Sequence, residues 1–387
     1  MHGIDRWFQL TLAILVAASP VLEAQGRGST RVHRDDRDAE QRYSMTLVDD
    51  DRTLKVRLDG RIELNDDDTD VVSVADGATL VIEEQRRGEP ARHIEFRGQG
   101  GAIRRSYTVN GAVREGDADQ KAWLARILPE LAREYGLNAE RRVQRILRRE
   151  GVDGVLREIR LIRSDGGKRT YLRLLMQHAT LTGAQTVAAL GIVERISSDG
   201  DKAGLLRQLL PGVNLADAGA RGAFFDAASS ISSDGDRSSV LLAVIRSASP
   251  DAATLTALLG SAAGISSDGD RSRVLIAAAR TPVLESGPAR DAWFRAAGGI
   301  SSDGDRSRAL LAILHQHGER AEVTVQALRS AREISSDGDK TRVLLAVAPE
   351  QMRDARVAAA YDSALDSISS DGEHRRAELH VRSARSR

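Results

Sequence analysis

One phrase recurs through the second half of this chain and constrains its architecture. It is an isoleucine followed by Ser-Ser-Asp-Gly-Asp and then Arg or Lys, with variations in the first and last copies. The copies begin at Ile162, Ile196, Ile231, Ile265, Ile300, Ile334 and Ile368, at steps of 34 or 35 residues. A fixed period of about 20–50 residues marks a repeat protein, whose units bury their apolar faces by stacking on one another. We therefore expect residues 161–387 to form a solenoid.

Each copy of the phrase has the pattern of a helix start. Its second serine stands in N-cap position and an acidic residue follows three positions later, which predicts a capping box with hydrogen bonds in both directions. The predicted capping residues are Ser198, Ser233, Ser267, Ser302, Ser336, Ser370, Asp201, Asp236, Asp270, Asp305, Asp339 and Glu373. The first copy has Gly167 at the acidic position, so a weaker cap is expected there. The phrase thus predicts a structural turn, and we expect Asp-to-Arg contacts to link stacked units.

The residues between the turns predict helical hairpins of about 34 residues. Apolar residues after the box come in adjacent pairs four apart, as expected for a broad buried helical stripe. Seven positions before the isoleucine, four units carry a bulky residue that we assign to the core: Phe224, Leu258, Trp293 and Tyr361. The opposite edge consists of loops, such as 210–219, 281–287 and 315–322, that differ between units. Partner specificity is expected at this variable edge.

The pattern resembles that of HEAT-like α-solenoids, in which an acidic turn, an arginine, a β-branched residue and an Ala/Leu-rich helix recur. The likeness is carried by Asp268–Ala277 (DGDRSRVLIA) and Asp337–Ala346 (DGDKTRVLLA) and covers about 161–387. The Ile-Ser-Ser-Asp phrase after a small β-domain is also similar to uncharacterised extracytoplasmic repeat proteins of bacteria. It is similar as well to repeat segments attached to BlaR-type sensors, whose peptidase motif His-Glu-x-x-His is not in this sequence. The resemblance implies an extracytoplasmic α-solenoid.

The N-terminal residues predict export. Residues 1–24 hold Arg6, an apolar run over 8–21 and the small residue Ala24, a pattern typical of a secretory signal peptide cleaved after that alanine. We expect a periplasmic or secreted bacterial protein with no membrane span after cleavage, and a signal-anchored protein of the inner membrane is the alternative. Residues 25–42 are charged and poor in large apolar side chains, which predicts a flexible linker.

Two further segments precede the repeats. Residues 43–115 alternate apolar and polar side chains between turn pairs such as Asn110-Gly111, which predicts a small antiparallel β-domain of about six strands. Residues 116–160 have helical stripes and are expected to connect this domain to the solenoid and cap its first unit, with Pro129 kinking or interrupting the first helix. The predicted fold class is α+β multidomain, with the β-domain followed by the solenoid.

The net charge of the chain and the residue types in its motifs argue against several classes of ligand and partner. The chain has 56 basic and 56 acidic residues, a formal net charge of +0, so no nucleic-acid partner is expected. The Asp-Gly-Asp phrase is followed by Arg or Lys, a cation that would compete with bound calcium. The weak metal candidates are Asp66, Asp68 and Asp70, in an acidic run that a solvated hairpin loop also explains. His315 and His317 are expected on the surface, and no catalytic residue, cofactor-binding residue or cofactor is expected.

These observations favour a binding protein over an enzyme, because solenoids present long surfaces and seldom enclose a catalytic pocket. We expect a non-enzymatic extracytoplasmic protein-interaction scaffold or sensor ectodomain whose partner is a protein. The alternative is a regulatory or accessory subunit of an envelope enzyme. The third possibility is a hydrolase whose site has no recognised motif.

Overall fold

The computed structural model describes residues 29–35, 42–115, 118–247, 250–285 and 287–385. The predicted signal peptide, 1–24, lies outside the described residues, as do 25–28 and 36–41 of the predicted linker. The chain divides into two compact units. One holds the described residues up to 63 together with 71–122, and the other holds 64–70 and the residues from 123 onward.

The first unit is built on antiparallel strands. The strands among the described residues are β1 (Ser29–Asp35), β2 (Arg42–Val48), β3 (Arg52–Asp59), β4 (Ile62–Leu64), β5 (Val71–Val74), β6 (Thr79–Arg86), β7 (Arg92–Gln99), β8 (Ala102–Val109) and β9 (Ala112–Arg114). Seven of them form a sheet in the order β1-β2-β3-β6-β7-β8-β9, while β4 and β5 pair with each other. This is more than the approximately six strands predicted, because short strands such as β5 and β9 carry too few residues to show an alternating pattern.

Strand β1 corrects the linker prediction for residues 29–35. It pairs with β2 from Ser29 opposite Val48 to Asp35 opposite Arg42. An edge strand takes its backbone hydrogen bonds from one neighbour, and charged side chains are common there. A shortage of large apolar residues therefore did not prevent this segment from joining the sheet.

Alternation on the central strands builds the core of the sheet. Val56 lies opposite Ile82, which lies opposite Ile94, and these side chains are at most 2% exposed. The turn between β8 and β9 has Asn110 and Gly111 at φ 50° and 77°, the positive values that a tight hairpin turn requires. The predicted Asn-Gly hairpin is thus confirmed.

Helices make up the rest of the chain. They are α1 (Ala118–Tyr135), α2 (Ala139–Leu161), α3 (Asp165–His178), α4 (Gly183–Glu194), α5 (Asp199–Leu209), α6 (Ala218–Ser229), α7 (Asp234–Ser247), α8 (Ala252–Ala262), α9 (Asp268–Ala279), α10 (Gly287–Gly298), α11 (Asp303–His317), α12 (Ala321–Arg332), α13 (Asp337–Leu345), α14 (Ala355–Leu365) and α15 (Asp371–Arg385). Pro129 lies inside α1 and does not interrupt it. Gly151, at φ 67° and ψ −167°, breaks the helical geometry within α2. Within the described ranges, no helix has both the length and the apolar character that crossing a membrane requires.

The fold is α+β, with an antiparallel sheet followed by an α-helical solenoid. From α3 onward each motif starts an odd-numbered helix, and an even-numbered helix returns the chain to the next motif. One continuous apolar core runs from Ala139 to Val381. The bulky residues assigned to it, Phe224, Leu258, Trp293 and Tyr361, are all 0% exposed, which confirms that prediction.

Candidate functional site

The motif edge of the solenoid is held by a ladder of aspartates. The first Asp of one motif accepts hydrogen bonds from the backbone N–H groups of both serines in the next motif. Asp234 accepts from Ser266 at 3.0 Å and from Ser267 at 2.7 Å. The same pair of bonds is made by Asp165, Asp199, Asp268, Asp303 and Asp337. Units are therefore joined through carboxylate-to-backbone bonds. Of the expected Asp-to-Arg contacts between units, Arg169 Nη1 donates to Asp201 Oδ1 at 2.9 Å, but such contacts do not continue as a ladder through the described repeats.

Helix α1 supplies the first rung of this ladder. The Glu134 carboxylate accepts from the backbone N–H groups of Arg163 and Ser164, each at 2.9 Å, as a motif aspartate does elsewhere. The Gly167 N–H donates to Ser164 Oγ at 3.1 Å, so the first copy retains the serine cap. A Cβ at position 167 would lie 2.8 Å from the Glu134 carbonyl oxygen, so the glycine permits α1 to approach closely.

In the other motif helices, one of the two hydrogen bonds of the predicted capping box is formed, the one in which the serine side chain accepts. Each serine Oγ accepts from the backbone N–H three residues later at 3.3 Å in the copies with Ser198, Ser233, Ser267, Ser302 and Ser336. The serine N–H groups are occupied by the ladder, so the predicted return bond from the acidic side chain to its own serine is wrong. The carboxylates of Asp270, Asp305, Asp339 and Glu373 instead face an arginine three residues later.

The cation of the motif donates hydrogen bonds to backbone carbonyls, and the acceptor depends on whether the cation is arginine or lysine. Where it is arginine, Nε donates to the carbonyl of the isoleucine in its own motif, at 2.8 Å from Arg271 to Ile265. Arg237 and Arg306 make the same contact. Lys202 Nζ donates instead to the carbonyl of Ser230, just before the next motif, at 2.8 Å, whereas Lys168 of the first copy donates to Arg163 of its own motif at 3.3 Å. Lys340 and Ser367 repeat the bond of Lys202 at 2.8 Å.

The side chains of Asp66, Asp68 and Asp70, proposed as metal candidates, do not converge on one position where an ion could bind. Asp66 is exposed, whereas Asp68 is 1% exposed and its Oδ2 is paired with the guanidinium groups of Arg142 and Arg145. The Asp70 backbone is held by Asn65. In the described part of the chain, no group of three or more His, Asp or Glu side chains is placed to hold a metal ion.

The variable edge also takes part in stacking. His317 is 6% exposed and its Nε2 lies 2.8 Å from the Ala279 carbonyl oxygen of the preceding unit, so the surface position expected for it is wrong. Helix α11 extends to His317 and carries the ring inward, whereas His315 remains exposed. Thr324 Oγ1 donates to Gln351 Oε1 at 3.0 Å, which links the next two units. Contacts between units thus occupy residues at both edges.

A regular row of apolar side chains lies on the outer surface of the odd-numbered helices from α7 onward, which we call the repeat face. Each member stands eight positions after the first Asp of its motif: Leu242, Ile276, Leu311, Leu345 and Leu379. The first four are half-buried and Leu379 is 50% exposed. The sequence pattern missed this row, because the apolar pairs assigned to the buried stripe, such as Val240 with Leu241, flank the row position and do not include it. The available signal was a change of residue type at this position, from Arg173 and Arg207 in the first two units to apolar residues in the rest.

Basic side chains border the apolar row on both sides. Three positions earlier stand Arg273, Arg308 and Arg342, with side chains 66%, 62% and 57% exposed. Four positions later stand Arg246, Arg280 and His315, which are also exposed. Residues at these helical spacings lie on one face. Arg273, Arg308 and Arg342 are each paired with an aspartate of their own helix, so the row lies between ion pairs on one side and basic side chains on the other.

Known proteins give no direct guide to this surface. Comparison of the chain with protein-family models, with curated proteins and with solved structures found no match.

Proposed function

We propose that the protein is an exported, non-enzymatic protein-interaction scaffold or sensor ectodomain that binds its partner through the repeat face. The observation that carries this proposal is the apolar row bordered by arginines, which recurs at the repeat spacing. Isolated exposed apolar residues are ordinary on protein surfaces, whereas contiguous apolar patches often mark binding sites. Five apolar residues recur at one position of adjacent stacked helices, four of them half-buried and Leu379 exposed.

The spacing of the row also favours a shape of partner. Packed helices lie about 8–10 Å apart, and an extended chain advances about 3.3 Å per residue. Because side chains three residues apart in a β-strand point to opposite faces, the segment that matches successive units is one in the polyproline II conformation, which advances about 3.1 Å per residue and presents every third side chain on one face. Acidic residues between them would meet Arg273, Arg308 and Arg342 on one side and Arg246 and Arg280 on the other.

Site-specific photo-crosslinking in living cells tests this function. The photoreactive residue replaces Ile276 or Leu311 on the repeat face, and the matched control replaces Ala359, which is exposed on the even-numbered helix α14. We expect protein adducts from the first two positions and none from the control. The Leu345→Glu variant should reduce those adducts, because it places a negative charge in the middle of the row. Equal adducts from both surfaces, or adducts unchanged by Leu345→Glu, would exclude the repeat face as the binding surface.

Export rests on residues 1–24 and has its own test. We expect the mature protein in the periplasmic or secreted fraction, with an N-terminus at Gln25. Recovery of the intact chain in the membrane fraction would instead show a retained signal anchor. Recovery in the cytoplasm would refute export.

A further inference from the structure

A cleft of about 670 Å³ lies in the helical unit, at a distance in sequence from the repeat face. Its walls are the acidic loop 65–70 and the two halves of α2. The volume falls within the range typical of small-molecule sites. Nothing in the repeat-face proposal uses this cleft.

Gly151 produces the helical wall. Its positive φ of 67° interrupts α2, and the helix after it turns back along the helix before it. Arg142 Nη2 donates to Glu158 Oε1 at 2.9 Å, and Arg157 Nη2 donates to Glu150 Oε2 at 2.9 Å, which holds the two halves together. The cleft is therefore a built feature of this helical hairpin.

The loop wall is fixed by its own hydrogen bonds. Asn65 Oδ1 accepts from the backbone N–H groups of Thr69 at 2.7 Å and Asp70 at 3.1 Å. This turn places Asp68 at φ 55°, an uncommon value for a residue with a side chain. Arg145 Nη2 donates to Asp68 Oδ2 at 2.7 Å, and Arg142 pairs with the same oxygen. The arginines thus tie the loop to α2.

Two buried polar atoms in this wall have no partner within the described structure. They are Asp68 Oδ1, a hydrogen-bond acceptor, and Arg142 Nε, a donor. Buried polar groups without partners are costly and call for an explanation, such as a bound water or ligand. A hydroxyl group both donates and accepts, so one ligand hydroxyl could satisfy both atoms.

Five arginines and five carboxylates line the cleft, and two of the arginines stand outside its internal ion pairs. Arg149 and Arg160 line it and are exposed, and the structure shows no ion pair for either of them among the described residues. They are suited to a carboxylate, which guanidinium groups bind with strong, directional hydrogen bonds. Asp66 and Asp67 line the loop wall and would repel a ligand with several negative charges.

Apolar surface completes the lining. Ile146 and Leu161 both face the cleft, and Leu161 is 60% exposed. Such side chains can cover the carbon face of a sugar ring, because burying apolar surface is favourable. The lining thus combines polar atoms suited to a ligand hydroxyl, arginines suited to a ligand carboxylate, and apolar side chains.

We propose that this cleft binds a small hydroxylated monoanion of the sugar-acid class. A ring hydroxyl bonds to Asp68 Oδ1 and Arg142 Nε, the carboxylate pairs with Arg149 and Arg160, and the ring packs on Ile146 and Leu161. This site is independent of the repeat face, so failure of either proposal leaves the other intact.

Isothermal titration calorimetry on the full mature chain tests the site with D-glucuronate as the probe. Acetate carries the charge without hydroxyls, glucose carries hydroxyls without the charge, and glucose 6-phosphate carries additional charge. We expect D-glucuronate to bind and each of the three other compounds to bind at least about 10-fold more weakly. Acetate binding as tightly as glucuronate would reduce the cleft to a plain anion site and overturn the proposal.

Matched variants locate the binding. Arg149→Gln and Arg160→Gln should each weaken D-glucuronate binding about 10-fold or more, since each removes a charge-assisted hydrogen bond. The control is Arg148→Gln, an exposed neighbour that does not line the cleft, and its affinity should be unchanged. All three are surface substitutions, so circular dichroism should show an unaltered fold. Absence of glucuronate binding, or equal affinity in all three variants, would refute the site.

Discussion

The ladder predicts that one central aspartate stabilises the solenoid more than the same residue at its C-terminal end. Asp268→Ala removes the acceptor for the Ser301 N–H at 3.1 Å and the Ser302 N–H at 2.7 Å. It also removes a negative charge from the first turn of α9. Asp371 occupies the equivalent position in α15, and no motif after it within the described residues donates to it.

The magnitude follows from these contacts. A hydrogen bond to a charged group contributes about 1.5–3 kcal/mol, and a carboxylate at a helix N-terminus contributes about 0.3–1 kcal/mol. Water can replace the lost bond at Ser301, which is exposed, but replaces it less readily at the half-buried Ser302. Asp268→Ala should therefore cost about 2–4 kcal/mol, and Asp371→Ala should cost about 0.3–1 kcal/mol.

Urea unfolding followed by circular dichroism measures this difference. A long repeat array can unfold in parts, so hydrogen exchange at the Ser301 and Ser302 amides should accompany it. We expect faster exchange at these two amides in Asp268→Ala and wild-type exchange there in Asp371→Ala. Equal losses of stability in the two variants would show that the carboxylate acts only through the helix terminus, which would refute the ladder.

Three more substitutions test the local chemistry. Ser267→Ala removes a helix cap and should cost about 1 kcal/mol in urea unfolding; an unchanged midpoint would show that the cap is not stabilising. Gly167→Ala should cost about 1–3 kcal/mol through overpacking, because its Cβ would lie 2.8 Å from a carbonyl oxygen of α1, whereas Gly200→Ala has no atom within 4 Å and should be tolerated. Burial tends to raise the pKa of Glu158, but hydrogen bonds and charges from Arg133 and Arg142 lower that pKa below its usual 4.5. The stabilising effect of Glu158 is therefore complete above pH 4.5 and is lost as the pH falls through the pKa of the folded state. Glu158→Gln should therefore destabilise the protein at pH 7 and have little effect at pH 2, and an equal effect at both pH values would contradict this assignment.

The sequence predicted the solenoid well because its determinants are local. The period, the capping serines and the buried residues such as Trp293 depend on spacing along one hairpin, which the chain repeats. The ladder was missed because its acceptors and donors are about one full unit apart, so only the stacking register brings them together. The second motif aspartates, such as Asp270, do pair with an arginine, whereas the first, such as Asp234, accept from backbone N–H groups of the next motif.

The cleft and the edge strand were missed for related reasons. Asp68 was read as part of a solvated loop or a weak metal site, and only the tertiary packing of the loop against the first half of α2 brings Arg142 and Arg145 to it. Strand β1 lacks the apolar alternation used to find strands, since its pairing with β2 depends on backbone groups. In each case the deciding interaction joins segments whose meeting is set by tertiary structure.

Several motif cations contact the residue just before the next motif, and this contact bears on how hairpins can be exchanged during recombination. Arg237 and Arg271 each lie against a glycine just before the next motif, Gly264 and Gly299, where a Cβ would push the end of the flexible arginine side chain aside, whereas Glu333 stands at this position after Arg306. Lys202 and Lys340 bond instead to a serine at this position, Ser230 and Ser367. Since the cation and the residue before the next motif belong to the same hairpin, an in-frame deletion of whole hairpins keeps each pair together. Changes in repeat number should therefore be tolerated in the central units when cation and successor are inherited together.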